Sequence, residues 1–345
     1  MIMKTDILSL YPEELRNDIK ALGQPSFRAD QITDWLLKGV RSFEEMKNLP
    51  KELIPVLREK YRLYEPVIID KRISTDGTIK YLFELYDKNA VETVIMRYRY
   101  GNTVCVSSQV GCRQGCAFCA STIGGLVRNL SASEILDEVV FACKDSGLKI
   151  SNIVMMGIGE PLDNFENVAR FLRLVNDPRG MNIGMRHITI STCGITERFD
   201  DLASLGYPVT LSLSLHAPDD ATRSKIMPAN RNRGVDRIID ECTRFYETTG
   251  RRISFEYAMI RNVNDTDAQA HMLADRAKKA HAHVNLIPLN YVSERDLHPS
   301  DPVTIKRFKE ILESRGVNVT VRRKLGNDVE ASCGQLRRNH IRQEH

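Results

Sequence analysis

Beyond residue 103, short apolar runs rich in β-branched residues alternate with amphipathic helical patterns. The runs occupy residues 103–108, 152–156, 187–191, 209–215, 253–259 and 283–288. The helical patterns lie near residues 131–147, 164–177, 196–205, 234–250, 265–282 and 302–315. Six strands that are each followed by a helix predict an α/β fold with a parallel sheet, either an incomplete barrel or a doubly wound sheet. In both folds, ligands bind beyond the carboxyl ends of the strands.

The first hundred residues follow other patterns. Up to about residue 64, apolar residues recur at the spacing of short helices. Between residues 66 and 100 the apolar period changes to two, and Asp76-Gly77 is typical of a hairpin turn. We therefore expect three parts, namely a small helical domain at 1–64, a short β-hairpin extension at 65–100 and a partial barrel at 101–345.

Charge and hydropathy exclude several classes of protein. The formal net charge of +4 permits a nucleic-acid partner without indicating one. No stretch approaches the roughly 18 apolar residues that a membrane helix needs, and the first residues lack the apolar run of a signal peptide. We therefore expect a cytoplasmic protein with no membrane partner. In that compartment, cysteines act as thiols, metal ligands or catalytic groups more often than as structural disulfides.

Three cysteines are crowded directly after the first predicted barrel strand. Cys112, Cys116 and Cys119 have the spacing Cys-x3-Cys-x2-Cys, at the edge of the sheet where ligands bind. Three thiolates cannot complete a tetrahedral zinc site unaided, but they suit a cubane iron–sulfur cluster that keeps one iron open for a substrate. The alternative is a zinc knuckle that takes Cys105 or a distant histidine as its fourth ligand.

Five motifs follow one another along the chain. They are Cys105-Val-Ser-Ser-Gln-Val-Gly-Cys112, Phe118-Cys119-Ala-Ser-Thr, Gly157-Ile-Gly-Glu-Pro161, Ser212-Leu-Ser-Leu-His216 and Ala331-Ser-Cys-Gly-Gln-Leu336. The cysteine spacing, with an aromatic residue before the last cysteine, resembles that of the radical S-adenosylmethionine (SAM) superfamily, whose members fold as a partial (β/α)6 barrel. Together the motifs resemble the RlmN-type adenine-C2 RNA methyltransferases, over nearly the whole chain and including the helical domain.

The resemblance implies a cofactor and a cosubstrate. Cys112, Cys116 and Cys119 would hold one [4Fe-4S] cluster, whose open iron would bind the amino and carboxylate groups of SAM. Seven further residues match SAM-contacting positions of the family and lie near predicted strand ends: Gly159, Glu160, Ser191, Ser214, Leu215, His216 and Asn290. Without the resemblance, Glu160 could belong to an ordinary turn between strand and helix, and His216 could be a structural histidine of the core.

The resemblance also implies a radical mechanism that consumes two SAM molecules per turnover. The first would methylate Cys333, and the second would be cleaved reductively to a 5′-deoxyadenosyl radical that takes a hydrogen atom from the S-methyl group. The resulting methylene radical would add to C2 of an adenine, a carbon that is not nucleophilic and that displacement on SAM cannot methylate. Cys105 would then resolve the covalent RNA adduct and leave a transient disulfide with Cys333.

Glu92 matches the proton acceptor of the same family. It shares a strand face with Val94 and Met96, so its carboxylate lies in an apolar row, an environment that suits a general base. The alternative is an inward-pointing charge that protects an edge strand from pairing.

The implied substrates are an adenine in 23S rRNA and an adenine in some tRNAs. Basic segments with interleaved tyrosines, such as Arg97-Tyr-Arg-Tyr100, suit contact with RNA phosphates and bases, as does the basic Arg322-Arg-Lys324 near Cys333. The helical domain is expected to contact RNA as well. An electron donor such as flavodoxin or ferredoxin and a thiol reductant would act on the enzyme, which we expect to be a monomer.

Two other functions stay open on the sequence alone. A Cfr-type C8 methyltransferase, which confers antibiotic resistance, would share the fold, the cluster and both catalytic cysteines, although Pro161 after Glu160 favours the C2 type. A zinc-stabilised RNA-binding protein would bind zinc in place of iron, and it gives no reason for Cys105 and Cys333 to be reactive.

Overall fold

The computed structural model describes residues 4–290, 292, 294–323, 325–326 and 336–337. Cys333, the predicted methyl carrier, lies outside these residues. Among the residues described, no helix combines the length and apolarity that a membrane crossing requires.

A small helical domain begins the chain. Its elements are β1 (Thr5–Asp6), α1 (Pro12–Ala21), α2 (Phe27–Leu37), α3 (Leu53–Lys60) and β2 (Tyr61–Arg62), and β1 pairs with β2 in parallel. Helix α1 packs against α2, and Leu15, Ile19 and Ile32 are almost fully buried because they lie on the apolar faces of these helices. An ion pair between the buried side chains of Arg41 and Asp137 joins this domain to the rest of the protein.

The extension forms two successive hairpins. Strands β3 (Val67–Ile73), β4 (Ile79–Glu84) and β5 (Ala90–Tyr98) pair antiparallel, and β5 pairs in turn with β6 (Gly101–Cys105). The predicted Asp76-Gly77 turn connects β3 to β4, and Gly77 has a positive φ of 83° there. Because β5 pairs on both sides, the extension and the barrel share one sheet of ten strands.

The remaining elements alternate strand and helix. They are a small hairpin of β7 (Gln109–Gly111) and β8 (Leu126–Asn129), then α4 (Ala132–Ser146), β9 (Ile150–Met155), α5 (Phe165–Asn176), β10 (Ile188–Thr192), α6 (Phe199–Ser204), β11 (Thr210–Ser214), α7 (Asp220–Ile226), α8 (Val235–Thr249), β12 (Ser254–Met259), α9 (Asp267–Lys279), β13 (His283–Pro288), α10 (Pro302–Ser314) and β14 (Val319–Val321). All six predicted barrel strands and the helices after them are confirmed. Strand β14, helix α7 and the β7–β8 hairpin are additional to the prediction.

The order of the parallel strands distinguishes the two predicted architectures. It runs β6-β9-β10-β11-β12-β13-β14, so each of these strands lies beside the parallel strand that precedes it in the chain. A doubly wound sheet reverses its order at a switch point, and the described strands show no reversal. Since the crossovers share one hand, the helices all lie on the same side of the sheet. The fold is therefore of the partial-barrel type, and the antiparallel extension continues its first edge.

The two faces of the parallel strands separate the apolar core from the barrel interior. In β10, Ile188 and Ile190 are fully buried and belong to the same apolar core as Phe171 of α5. Thr189 and Ser191 alternate with them and are only half-buried. Because side chains alternate along a strand, polar residues at the strand ends are available to line a cavity inside the barrel.

Candidate active site

A cavity of about 250 Å³ opens at the carboxyl ends of the parallel strands. Small-molecule sites enclose about 300–1,000 Å³, so the volume of this cavity lies just below that range. Nine of the ten residues predicted to hold the cluster or SAM line it: Cys112, Cys116, Cys119, Gly159, Glu160, Ser191, Ser214, His216 and Asn290. The tenth, Leu215, is fully buried in the apolar core.

The loop that carries the three cysteines is held by its own backbone. The Cys112 amide donates to the Gly125 carbonyl at 3.0 Å, and the Cys119 amide donates to the Cys116 carbonyl at 3.2 Å. The hydroxyl of Thr122 lies within hydrogen-bond distance of the carbonyls of Cys116 and Cys119, at 3.2 Å and 2.9 Å. The three thiols therefore stand on one ordered turn that faces a single cavity.

The chemistry of this donor set fits a metal cluster. Burial raises the pKa of the Cys112 thiol to about 12, and it also raises the pKa of Cys116. Such thiols keep their protons at neutral pH until a bound metal displaces them. In the part of the chain that the structure describes, no three His, Cys, Asp or Glu side chains converge as the ligands of one ion would. A cubane cluster holds its thiolates on separate irons, so three cysteines around a shared cavity suit it.

Two glycines bring the loop after β9 against the loop after β6. A Cβ atom on Gly157 would lie 2.6 Å from the Val106 carbonyl oxygen, and one on Gly159 would lie 2.7 Å from the Gln109 nitrogen. Gly159 also has a φ of +113°, a conformation that side chains disfavour. This close approach of two backbones brings Glu160 to the cavity wall that carries the cysteines.

Backbone donors hold the buried carboxylate of Glu160. The amides of Cys193 and Leu162 donate to its two oxygens, at 2.7 Å and 3.1 Å, so the side chain also caps the short helix Pro161–Asn164. Burial raises the pKa of this carboxyl, and the hydrogen bonds oppose the rise. The turn interpretation and the ligand interpretation are thus compatible, because one carboxylate caps the helix and lines the cavity.

His216 is a buried imidazole just beyond the end of β11. Its Nδ1 accepts from the Ala258 amide at 2.9 Å, which leaves the ring proton on Nε2. Burial lowers the pKa of His216 to about 3, and the charge of Arg223 acts in the same direction. The ring also meets Phe118 edge to face, with the ring centroids 4.7 Å apart. His216 is therefore a neutral residue of the cavity, in contact with the cysteine loop.

Two buried residues near the cavity were missed by the sequence prediction. Arg223 donates to the carbonyls of Leu215, Cys193 and Ser214 and to the side chain of Asn230, so it ties together the ends of β10 and β11. It lies in α7, whose seven residues are too few for a clear helical period.

Glu256 of β12 is the second missed residue. It lines the cavity, and its carboxylate accepts from Ser212 at 2.9 Å and from Asn285 at 2.8 Å. A charged residue inside the apolar run at 253–259 was the available signal, since such charges are rarely buried without a partner. Cys193, just beyond the end of β10, also lines the cavity.

Glu92 lies on β5 and Cys105 on the neighbouring strand β6, and the pairing of Cys105 with Val94 places both residues on one face of the sheet. The Glu92 carboxylate is buried, pairs with the buried ammonium of Lys80 at 3.1 Å and accepts from the Arg337 amide at 2.7 Å. The edge-strand interpretation of Glu92 is wrong, because β5 pairs with β4 on one side and β6 on the other. Cys105 lies opposite Val94 and packs in an apolar cluster that includes Met156, a residue of the cavity wall.

Family comparisons agree with this architecture. A family model described as the radical SAM superfamily matches residues 106–274, and one described as the ribosomal RNA large subunit methyltransferase N-terminal domain matches residues 5–63. A crystal structure of a radical SAM methyltransferase from Sphaerobacter thermophilus superposes with a TM-score of 0.91 and 41% identity, covering 96% of this chain and 98% of that one.

Curated relatives extend the similarity along the chain. A probable dual-specificity RNA methyltransferase RlmN of Lachnoclostridium phytofermentans is 50% identical over 98% of this chain and 95% of its own length. Its counterpart in Desulforamulus reducens is 49% identical over 98% of this chain and 97% of its own length. The chain therefore belongs to the RlmN family of dual-specificity RNA methyltransferases, within the radical SAM superfamily.

Proposed function

We propose that this chain methylates C2 of an adenine in 23S rRNA, position 2503 in the family's rRNA numbering, and of an adenine in some tRNAs. The observation that carries the proposal is the convergence of nine predicted cluster and SAM residues on one cavity at the strand ends. Pro161 after Glu160 favours C2 over C8 as the site of methylation.

The cavity suits a cluster bound beside SAM. Cys112, Cys116 and Cys119 would hold the [4Fe-4S] cluster, and Glu160 would accept hydrogen bonds from the SAM ammonium. A bound cation would offset the cost of burying the Glu160 carboxylate. When bound, the cluster supplies the electron that cleaves SAM to a 5′-deoxyadenosyl radical. Cys112, Glu160 and His216 in the cavity wall are buried, and a site that keeps water away protects reactive species.

The two cysteines and Glu92 would complete the reaction. Cys333 takes a methyl group from the first SAM and releases S-adenosylhomocysteine. The S-methyl group then loses a hydrogen atom to the 5′-deoxyadenosyl radical, and its carbon becomes bonded to adenine C2. The adduct gives up one electron and the C2 proton before it is resolved. Cys105 then attacks the Cys333 sulfur, so that the sulfur–carbon bond of the adduct breaks and a Cys105–Cys333 disulfide forms. Glu92 serves as the proton acceptor, and the Lys80 side chain and the Arg337 amide, both of which contact its carboxylate, position it for that role.

Two partners would complete the catalytic cycle. An electron donor such as flavodoxin or ferredoxin reduces the cluster, and a thiol reductant reopens the disulfide between Cys105 and Cys333. Both act on centres that are used once in every turnover.

The decisive measurement is nucleoside mass spectrometry of an rRNA fragment after anaerobic reaction with reconstituted protein, SAM and a reductant. We expect 2-methyladenosine. Formation of 8-methyladenosine would keep the cavity chemistry but assign the chain to the C8 type. An intact iron–sulfur spectrum without a modified adenine would refute the RNA substrate, and zinc in place of iron would refute the radical mechanism.

A further inference from the structure

Two tyrosines form a stacked pair at the solvent end of β5. The rings of Tyr98 and Tyr100 lie parallel, with an interplanar angle of 6° and centroids 5.0 Å apart. Tyr98 is half-buried, whereas Tyr100, in the turn before β6, is 73% exposed. The inner ring is therefore fixed by packing, and the outer ring is presented to solvent as a flat aromatic surface.

The pair stands at the end of a row of side chains that leads to the proposed reactive groups. Tyr98 packs against the cluster of Val94, Met96 and Cys105, and its hydroxyl lies 3.6 Å from the Met96 sulfur. Glu92 continues the same face of β5, because side chains of alternate residues share a face. The exposed Tyr100 thus stacks on Tyr98, which lies on the same strand face as the buried Cys105 and Glu92.

The segment after β14 brings positive charge to this pair. Arg322 is exposed yet lines the cavity, and its amide donates to the Leu286 carbonyl at 2.8 Å. Leu325 packs against the Val94, Met96 and Cys105 cluster, and the Gly326 amide donates to Asp76 at 2.8 Å. The described residues of this segment therefore reach from the last strand of the barrel to the β3–β4 turn.

The arginines are close enough to act on the tyrosine hydroxyls. Burial raises the pKa of Tyr98, and the charges of Arg322 and Arg323 oppose that rise. Arg323 acts in the same way on Tyr100. Arg97, by contrast, has its side chain against Gly77 in the β3–β4 turn. The surface thus combines an open aromatic face with Arg322 and Arg323.

We propose that Tyr98 and Tyr100 are a stacking platform for the RNA nucleobase next to the target adenine, with Arg322 and Arg323 on the flanking phosphates. The inference rests on the proposed function. Single-stranded RNA offers both planar bases and phosphates, and it is typically bound by aromatic rings beside basic side chains. A target base that leaves its stack also leaves a neighbour unstacked, and the platform would receive that neighbour while the adenine enters toward Cys105.

The test measures the affinity of reconstituted protein for a labelled RNA hairpin that contains the target adenine. Two further hairpins lack the base immediately 5′ or 3′ of that adenine. We expect Tyr100→Ala to weaken binding of the complete hairpin about tenfold, since one stacked base contributes about that much. Tyr100→Phe keeps the ring and should bind within about twofold of the wild type. Tyr246→Ala is the matched control, because Tyr246 is also stacked, on His281, but lies on α8.

The hairpins without one base identify what the platform binds. The wild type should bind one of the shortened hairpins more weakly than the complete one, whereas Tyr100→Ala should bind that shortened hairpin and the complete one with the same affinity. Arg323→Gln should lower the dependence of log Kd on log salt by about 0.7, the value for one phosphate of a single strand. The inference would be overturned if the wild type and Tyr100→Ala bound the complete hairpin with equal affinity. It would also be overturned if the wild type lost the same affinity on both shortened hairpins. Methylation by the wild type, measured in parallel, shows separately whether the proposed function holds.

Discussion

The parallel and antiparallel parts of the ten-stranded sheet hold their functional side chains in different ways. Beyond the ends of the parallel strands, backbone groups do the holding: amides donate to Glu160 and His216, and carbonyls accept from Arg223. Glu256 lies within β12, and there the side chains of Ser212 and Asn285 hold it instead. In the antiparallel extension, Glu92 is held by the Lys80 side chain from the neighbouring strand and by the amide of Arg337.

The difference follows from where the residues lie along their strands. Loops beyond strand ends have amides and carbonyls that no ladder uses, and these can hold a buried side chain. Within an antiparallel strand the backbone groups pair with the neighbouring strands, so a buried carboxylate such as Glu92 needs a partner from a side chain or a remote segment. Substitutions should therefore have different consequences in the two parts.

The largest expected effect is the loss of the cluster itself, on which all later chemistry depends. Cys116→Ala removes one of three thiolates, so iron should fall from about four per chain to near zero, and neither SAM cleavage nor methylation should occur. Iron analysis and the visible absorbance after anaerobic reconstitution measure this. Cys143→Ala is the matched control, because Cys143 is a half-buried residue of α4 and should leave the iron content unchanged. Full iron content in Cys116→Ala would contradict the assignment of the ligands.

Cys105→Ala alters β6, the strand at which the antiparallel and parallel parts of the sheet meet. It should leave the cluster intact. Iron content and SAM cleavage should persist, whereas methylated RNA should not be released, because no thiol resolves the adduct with Cys333. A protein–RNA species that survives denaturing electrophoresis is the expected product. Normal turnover by this variant would show that Cys105 has no resolving role.

Arg223→Met should be the most destabilising substitution of a single side chain near the cavity. It removes hydrogen bonds to the carbonyls of Leu215, Cys193 and Ser214 and to the Asn230 amide oxygen. The Leu215 carbonyl still accepts from the Ala217 amide, and each buried group that is left unsatisfied costs about 1–3 kcal/mol. We expect the free energy of unfolding to fall by about 4 kcal/mol, measured by urea denaturation. Arg307→Met removes an exposed ion pair with Asp267 and should cost less than about 1 kcal/mol.

Lys80→Met should cost about 3 kcal/mol, because it removes the Lys80 side chain from its ion pair with the buried Glu92 carboxylate. In the double variant Lys80→Met/Glu92→Gln, the neutral amide can still accept from Arg337, so most of the lost stability should return. No second substitution of one side chain can rescue Arg223→Met in this way, since its partners are mainly backbone carbonyls. If the free energy of unfolding of the double variant stayed as low as that of Lys80→Met, the two parts of the sheet would not differ in how they hold buried side chains.

The same contrast explains what the sequence could predict. Strands β9 to β13 each bury one face in the apolar core, and the sequence therefore shows short runs rich in apolar residues with helical patterns between them. The three residues of β14 and the seven of α7 are too short for a periodic signal. The pairing of Glu92 with Lys80 and Arg337 has no local signature, because the partners lie 12 and 245 residues away in sequence. The proposed ligands came from motif resemblance, and the structure adds that nine of them share one cavity.

The smallest expected effect concerns Glu138 of α4, a carboxylate that both parts of the sheet hold. The Ser107 amide, from the loop after β6, lies 3.1 Å and 3.0 Å from its two oxygens, and the Thr93 hydroxyl of β5 donates to one of them at 2.5 Å. Thr93→Val keeps the side-chain volume and removes only that hydroxyl. Because the backbone donor remains, we expect a loss of about 1 kcal/mol in urea denaturation.

The control for this substitution is Thr196→Val, whose buried hydroxyl has no hydrogen-bond partner among the described residues. Removing a polar atom that is already unsatisfied should be neutral or slightly stabilising. If Thr93→Val lowers the free energy of unfolding as much as Lys80→Met does, side chains rather than backbone amides hold the buried carboxylate at this junction as well. Backbone groups would then hold buried side chains only in the parallel part of the sheet. If it costs nothing, the Ser107 amide alone holds Glu138, and backbone control extends from the barrel into the extension.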